Sequence, residues 1–263
     1  MVGFIQAPLF VPASRPTLFP KAVLSRPDAV ILDLEDAVAE HHKEVARANI
    51  GCDFTSLPVI VRINGRGTKW HEADIAAVSN LRGVAVMLPK SEYPEEVAGV
   101  VSKLNGNPLI ALIETARGVA QARAIAAQKA VVRLAFGSID FCADMGCGHL
   151  REVLLPARSE LVLASRLAGI MAPIDGVTMQ LNDRALAYDD AAHARNLGMT
   201  GKLCIHPSQI AEVKRAFAPT ESEIDWAHRV IATGDGAVSI DGIMVDEPAR
   251  ARARTVLATV ERR

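Results

Sequence analysis

The sequence predicts an α/β protein, a (β/α)8 TIM barrel followed by a C-terminal helical extension, and three observations predict it. Short apolar runs recur at about 8–12, 29–34, 58–63, 83–88, 108–113, 131–136, 173–179 and 202–205. Each is continuously apolar and rich in Val, Ile and Leu rather than alternating, the pattern of parallel strands covered on both faces. Helical patterns fill the intervals, and polar groups follow nearly every run, as in a barrel whose functional residues gather at the C-terminal strand ends. The chain has 263 residues, 50% of them hydrophobic, and barrels of about 250 residues form one domain. The expected division is a catalytic barrel over 1–218 and a helical extension over 219–263, which packs on its own barrel or on a neighbouring subunit.

Taken in order, the first run leads into Arg15 and Lys21, and the second ends in Asp33, Glu35 and Asp36. The tandem His41-His42 beyond it falls on a loop, where solvated histidines are expected. The third run ends in Arg62 and Asn64 and precedes a helical pattern at Ala73–Val78; the fourth ends at Lys90. The fifth, Pro108-Leu-Ile-Ala-Leu-Ile, stops at Glu114 and passes into the helix starter Thr-Ala-Arg-Gly118. The sixth, Arg133-Leu-Ala-Phe, stops near Asp140. Phe141 to Pro156, with Cys142, Cys147 and His149, then reads as a long loop on the catalytic face. A helix from Ala157 follows, and after the last two strands His206-Pro-Ser opens another. In the extension, Pro219-Thr-Glu-Ser-Glu begins a capped helix through about Ile231, Gly234 to Gly242 is turn-rich, and Asp246-Glu-Pro opens the final helix.

Composition excludes several function classes. The formal net charge is −1 and aromatic residues make up 4%, so neither a phosphate-binding basic surface nor a base-stacking platform is expected, and no nucleic-acid partner with them. The opening residues lack a signal-peptide pattern, and no apolar stretch approaches about 18 residues, which predicts a cytoplasmic protein without a membrane partner. Four irregularly placed cysteines fit a reducing compartment. Cys142, Cys147 and His149 lack the paired spacing of structural zinc sites.

Placing each strand end on one rim gathers Asp33, Glu35, Asp36, Arg62, Asn64, Lys90, Glu114, Asp140 and His206. Glu114 and Asp140 end successive strands, and all-oxygen ligands suit a hard cation such as Mg²⁺; taken singly, each also reads as a helix cap or a strand terminus. Arg62 presents a planar fork that suits a substrate carboxylate held bidentately, or compensates the acids beside it. His206 reads as an orienting histidine.

At these residues the chain resembles the citrate lyase β-subunit-like family of the HpcH/HpaI aldolase/citrate lyase superfamily. The matching segments are Leu9-Phe-Val-Pro-Ala-Ser-Arg15-Pro, Ala29-Val-Ile-Leu-Asp-Leu-Glu-Asp36-Ala-Val, Val61-Arg62-Ile-Asn64, Met87-Leu-Pro-Lys90, Ile113-Glu114-Thr-Ala-Arg-Gly118, Ala135-Phe-Gly-Ser-Ile-Asp140-Phe and Gly201-Lys-Leu-Cys-Ile-His206-Pro-Ser-Gln209. They run in order over nearly the whole chain. The resemblance implies a lyase acting on the carbon–carbon bond of a 3-hydroxyacyl-coenzyme A thioester to give a 2-oxo acid and a short acyl thioester. It implies Glu114 and Asp140 as Mg²⁺ ligands, Glu35 and Asp36 as partners of water around the metal, and Arg62 as carboxylate clamp. Arg15 and Lys21 resemble groups that meet coenzyme A phosphates, and Lys90 and Glu114 join the substrate-binding set. The family's usual Gly-Asn or Gly-Asp before the first arginine reads Ala13-Ser14 here. Met244-Val-Asp246-Glu-Pro resembles a motif whose aspartate reaches a neighbouring subunit's site as acid or base, which predicts a homo-oligomer, a trimer. Thioester hydrolysis, aldol cleavage of a free hydroxy-oxo acid, and a subunit acting on a carrier-bound thioester are the alternatives.

Overall fold

The computed structural model describes residues 4–234, 236–240 and 242–261. Eight parallel strands follow one another round a single sheet in sequence order: β1 (Pro8–Pro12), β2 (Ala29–Asp33), β3 (Val59–Arg62), β4 (Val84–Leu88), β5 (Leu109–Ile113), β6 (Val131–Phe136), β7 (Met171–Asp175) and β8 (Gly201–Lys202). Backbone bonds join the last strand to the first: Lys202 N–H donates to Gln6 O at 2.7 Å, Cys204 N–H to Pro8 O at 2.9 Å, and Phe10 N–H to Cys204 O at 2.9 Å. The result is the (β/α)8 barrel expected from the sequence. Its helices are α1 (Phe19–Leu24), α2 (Lys43–Ala48), α3 (His71–Ser79), α4 (Pro94–Lys103), α5 (Ala116–Ala126), α6 (Ser138–Met145), α7 (Arg151–Leu167), α8 (Arg184–Asn196) and α9 (Pro207–Phe217).

The continuous apolar runs are explained by where their two faces go. Ile31, Ile60, Met87, Ile110, Leu112, Ala135 and Ile174 point into the barrel and form one cluster with Ile5 and Leu203. Their neighbours in the same strands, such as Val30, Leu32, Val61, Val86 and Ala111, are equally buried on the other face. Burying each such side chain is worth about 1.5–3 kcal/mol, so the barrel wall carries much of the stability.

Three local expectations are corrected. The long loop expected over 141–156 is mostly helix: α6 runs to Met145 and α7 begins at Arg151. Pro156 lies inside α7, at the cost of one ladder N–H. The seventh strand runs over Met171–Asp175 rather than to 179. It stops where the Asp175 carboxylate turns to Arg158 and Lys202. Asp140 does not end a strand: β6 finishes at Phe136, and Asp140 lies in the first turn of α6.

The chain divides into two compact units, Met1–Lys214 and Arg215–Arg263, with the division inside α9. In the second, α10 (Glu221–Ala232) starts in a Thr220/Glu223 capping box and packs against α11 (Glu247–Glu261) around Ala227, Val230, Val245, Ala253 and Val256. The stretch read as turns forms a hairpin of β9 (Val238–Ile240) and β10 (Ile243–Val245). Val-Ser-Ile and Ile-Met-Val flank an Asp-Gly pair, a strong hairpin signal that the abundance of turn residues obscured.

Candidate active site

The C-terminal ends of β2, β3, β5 and β6 surround a cavity of about 350 Å³ at the barrel mouth. Its polar lining includes Asp33, Asp36, Arg62, Glu114, Ser138 and Asp140, and its apolar wall includes Phe10, Leu112, Phe136, Val177 and Leu203. A wider groove of about 620 Å³ between α5, α6 and α7 has Arg123 and Glu160 as its charged lining, and they pair with each other at 2.7 Å. The chemistry belongs to the mouth.

Asp33, last in β2, organises one half of this mouth. Its Oδ1 accepts from Glu35 N–H at 2.9 Å and its Oδ2 from Ala37 N–H at 3.0 Å, which folds the acidic segment back over the strand end. The same two oxygens accept from Arg62 Nε at 2.7 Å and Nη2 at 2.8 Å. This corrects the expectation of an open fork on Arg62, because the bidentate edge is already closed on Asp33. Nη1 remains, 3.0 Å from Glu35 Oε2 and 3.2 Å from Asp36 Oδ2. Burial opposes the Arg62 charge, but Asp33, Glu35 and Asp36 outweigh it and hold the guanidinium protonated. The guanidinium also lies over the Phe10 ring, 4.8 Å from its centre.

Lys43 supports this arrangement, and the sequence reading missed it. Its buried ammonium donates to Leu34 O, Glu35 O and Asn64 Oδ1, all at 2.7 Å, tying the β2 loop to the end of β3. Asn64 is held in turn by Asp74, which accepts from its N–H at 2.9 Å. A lysine at the start of a short helix carries no sequence signal for this role.

Glu114 organises the other half. It is 2% exposed, directly after β5. Thr115 is the N-cap of α5, its side chain accepting from Gly118 N–H, so Glu114 is left free of the capping duty that the sequence allowed it. One oxygen accepts from Lys90 N–H at 2.7 Å. Gly137 comes so close that a Cβ there would stand 2.4 Å from the other, Glu114 Oε2, so only glycine leaves that oxygen room. Burial, with Glu35 and Asp140 nearby, pushes the Glu114 carboxyl up to about 8. Glu35 is likewise raised, by burial first, against the opposing pull of Arg62 and Lys90, and its Oε2 has no aligned hydrogen bond.

Glu114, raised by burial with Glu35 and Asp140 nearby, and Glu35, whose buried Oε2 lacks an aligned hydrogen bond, offer carboxylate oxygens of the kind that suit a hard divalent cation. Among the described residues no three His, Cys, Asp or Glu side chains are clustered as a complete protein cage. That agrees with Mg²⁺, which keeps water or substrate oxygens and takes one or two carboxylates.

Lys90 extends from this centre, its Nζ 3.2 Å from Glu35 Oε1. Arg15, on the β1–α1 connection, and Lys21, within α1, are exposed and do not line the cavity. His206 bonds Ser208 Oγ at 2.7 Å at the start of α9, an orienting contact. His41 and His42 lie exposed in a short turn. The four cysteines are free, and burial raises the Cys142 thiol to about 11 and Cys204 to about 12, opposite to what zinc ligands need. Asp246 belongs to the second unit, where its carboxylate accepts from Ala249 N–H at 3.2 Å at the start of α11.

A family model described as HpcH/HpaI aldolase/citrate lyase matches residues 6–207. A citrate lyase subunit beta-like protein of Mycobacterium tuberculosis is 38% identical over 95% of this chain and 93% of its own length. A (3S)-malyl-CoA thioesterase of Cereibacter sphaeroides is 31% identical over 96% and 93%. The crystal structure of CitE from Mycobacterium tuberculosis in complex with magnesium, acetoacetate and coenzyme A superposes with a TM-score of 0.89 at 35% identity, covering 99% of both chains.

Proposed function

The chain belongs to the HpcH/HpaI aldolase/citrate lyase family, and we propose that it is a Mg²⁺-dependent carbon–carbon lyase. Its substrate is a 3-hydroxyacyl-coenzyme A thioester of malyl, citramalyl or citryl type, and its products are a 2-oxo acid and a short acyl-coenzyme A. The observation that carries this reading is the mouth itself, where Glu114, held up to about 8 by burial and by Glu35 and Asp140, shares one cavity with Asp140, Asp36 and Arg62. Magnesium held by Glu114 and Asp140 would polarise the hydroxyl and carboxylate oxygens of the acid half, and the M. tuberculosis relative is solved in complex with magnesium.

The chain's own groups supply the rest. Asp36, exposed at the cavity edge, takes the hydroxyl proton. Arg62, locked to Asp33, offers Nη1 to the substrate carboxylate, and Lys90 adds a cation beside it. The apolar wall of Phe10, Leu112 and Leu203 excludes water from the acyl carbons. Arg15 and Lys21, exposed after β1, meet the coenzyme A phosphates. Binding energy from that remote handle orients the reacting carbons. A cytoplasmic setting is part of this reading, supported by four free cysteines that suit a reducing compartment.

Cleavage leaves an enolate that needs a proton, and Asp246 of a neighbouring subunit in a homotrimer is its source. Mixing an inactive Asp246→Ala protein with an inactive Glu114→Gln protein, after dissociation and reassembly, is expected to restore part of the activity through sites that draw each residue from a different chain. No recovery in verified mixed oligomers would place Asp246 and Glu114 of one site in one chain.

Thioester hydrolysis is the second reading, favoured by the malyl-CoA thioesterase relative. Incubating the three thioesters with Mg²⁺ separates the two, since a lyase yields 2-oxo acid and acyl-coenzyme A in equal amounts and a thioesterase yields the free thiol. The three acid halves differ by a methyl or carboxymethyl group. An apolar pocket discriminates such a difference by only about 1–3 kcal/mol, so one preferred substrate with slower turnover of the others is expected.

A further inference from the structure

Helix α7 is apolar on two opposite faces. Leu154, Ala157, Leu161 and Ala164 are buried on the inner one. On the outer one Leu155, Leu163 and Leu167 are 39%, 44% and 65% exposed, where a helix that only covers a barrel wall carries polar residues. The charges of α7 divide in the same way. Arg151 pairs with Asp190 at 2.9 Å, Arg158 with Asp175 at 2.8 Å and Glu160 with Arg123 at 2.7 Å. The remaining two, Glu152 and Arg166, are exposed at opposite ends of the outer face.

This outer face is arranged symmetrically about Ser159, which is itself exposed. Leu155 and Leu163 lie four residues to either side of it, and Glu152 and Arg166 seven, spacings that keep all five on one side of the helix. The two halves match in their leucines and differ in the sign of the terminal charge. Turned end for end, the face is therefore its own complement: leucine lies on leucine and carboxylate on guanidinium. Towards the N-terminal end the apolar surface widens, because Val153 and Pro156 of α7 line the groove of about 620 Å³ together with Phe141 and Met145 of α6. Met145 and Leu150 are 52% and 54% exposed. Apolar surface of this extent marks an interaction site on a protein in water.

From this arrangement we infer that the outer face of α7 is an interface with a second copy of the chain, in which the two α7 helices pack antiparallel about a two-fold axis at Ser159. Leu155 then meets the partner's Leu163, and Glu152 meets the partner's Arg166. Each contact occurs twice, as a two-fold axis requires. The small side chain of Ser159 lets the helices approach closely where they cross. The partner's Leu167 falls beside the first turn of α7, where Leu150 and Val153 are exposed. A parallel pairing would instead set glutamate against glutamate and arginine against arginine, a repulsion that fixes the antiparallel sense. This contact is independent of the homotrimer proposed through the extension, and the two can form together.

The test measures the mass of the full chain by sedimentation velocity and traps the contact chemically. Wild type is expected to sediment as an assembly with an even number of chains. Leu163→Asp is expected to halve that mass, with the far-UV circular dichroism unchanged because Leu163 is exposed. Glu152→Arg and Arg166→Glu, which set like charges across the axis, are each expected to move dissociation to at least roughly tenfold higher protein concentration. Combining Glu152→Arg with Arg166→Glu restores opposite charges and is expected to restore the wild-type mass, a recovery that a general loss of stability does not give. Ser159→Cys, treated with a mild oxidant, is expected to yield a disulfide-linked dimer on a non-reducing gel that wild type treated alike does not form. A wild-type mass of one or three chains, a mass unchanged in folded Leu163→Asp, no recovery in the double charge reversal, or no cross-link through Ser159→Cys would each overturn the assignment.

Discussion

Glu114→Gln is expected to abolish Mg²⁺-dependent turnover while leaving the barrel folded. The side chain is 2% exposed, bonded to Lys90 N–H at 2.7 Å and hemmed in by Gly137. A glutamine of the same shape therefore fits, but its neutral amide is a poor ligand for a hard cation. The loss should exceed the roughly hundredfold seen when a group that merely supports a metal ligand is removed, and Asp140→Asn should behave alike. The stability readout has the opposite sign. The raised Glu114 carboxyl, at about 8 in the metal-free fold, binds its proton more tightly than in the unfolded chain. Its stabilising effect is thus full below the ordinary carboxylate range and is lost as pH rises towards 8. Metal-free wild type should lose stability across that window and regain it with Mg²⁺, whereas Glu114→Gln should lose the Mg²⁺ effect and keep only the smaller pH-dependent loss that the raised Glu35 contributes. Thermal melts at pH 5 and pH 8, with and without Mg²⁺, check this. Wild-type turnover in either variant, or in the presence of chelator, would remove these residues from the metal role.

Arg62→Lys has the second largest expected effect. Lysine keeps the charge but replaces a fork whose Nε and Nη2 hold the two oxygens of Asp33 at 2.7 and 2.8 Å and whose Nη1 meets Glu35 at 3.0 Å. A point charge satisfies one of these contacts well, leaving the buried Asp33 carboxylate without its two-pronged charged partner. A loss of about 1.5–3 kcal/mol in folding stability is expected, the worth of a hydrogen bond to a charged group. Turnover should fall further than stability explains, because Asp33 also fixes the Glu35–Ala37 backbone that carries Asp36. Kinetics at a temperature where both proteins are folded separate the two effects. A fall in kcat/KM of less than about threefold would make Arg62 a structural counter-ion only.

Much of the mouth was legible because barrel topology turns sequence order into spatial order. Once strands are recognised by continuous apolarity, every residue just past a run falls on one rim, which gathers Asp33, Arg62, Lys90 and Glu114 from the sequence alone. Pairings within that rim were not legible. Asp33 and Arg62 are 29 residues apart, and periodicity does not say whether the arginine's fork faces a substrate or an aspartate on the next strand. Lys43 was invisible for a related reason, since its role depends on three oxygens converging from two loops. Asp140 was gathered correctly but for the wrong local reason, because it is reached through the first turn of α6 rather than from the strand end. The sequence of the extension reads as turns and helices, and its hairpin escapes that reading because Val238–Ile240 and Ile243–Val245 are only three residues each.

The central claim is that a carbon–carbon bond breaks and an enolate of the acyl thioester takes up a solvent-derived proton. The most direct measurement is mass spectrometry of the acyl-coenzyme A formed from a citramalyl- or malyl-type thioester in D₂O with Mg²⁺. Acetyl-coenzyme A carrying one deuterium in its methyl group, formed in step with the 2-oxo acid and abolished by chelator, is the expected result. Free coenzyme A accumulating beside a deuterium-free hydroxy acid, with no acetyl-coenzyme A, would contradict it.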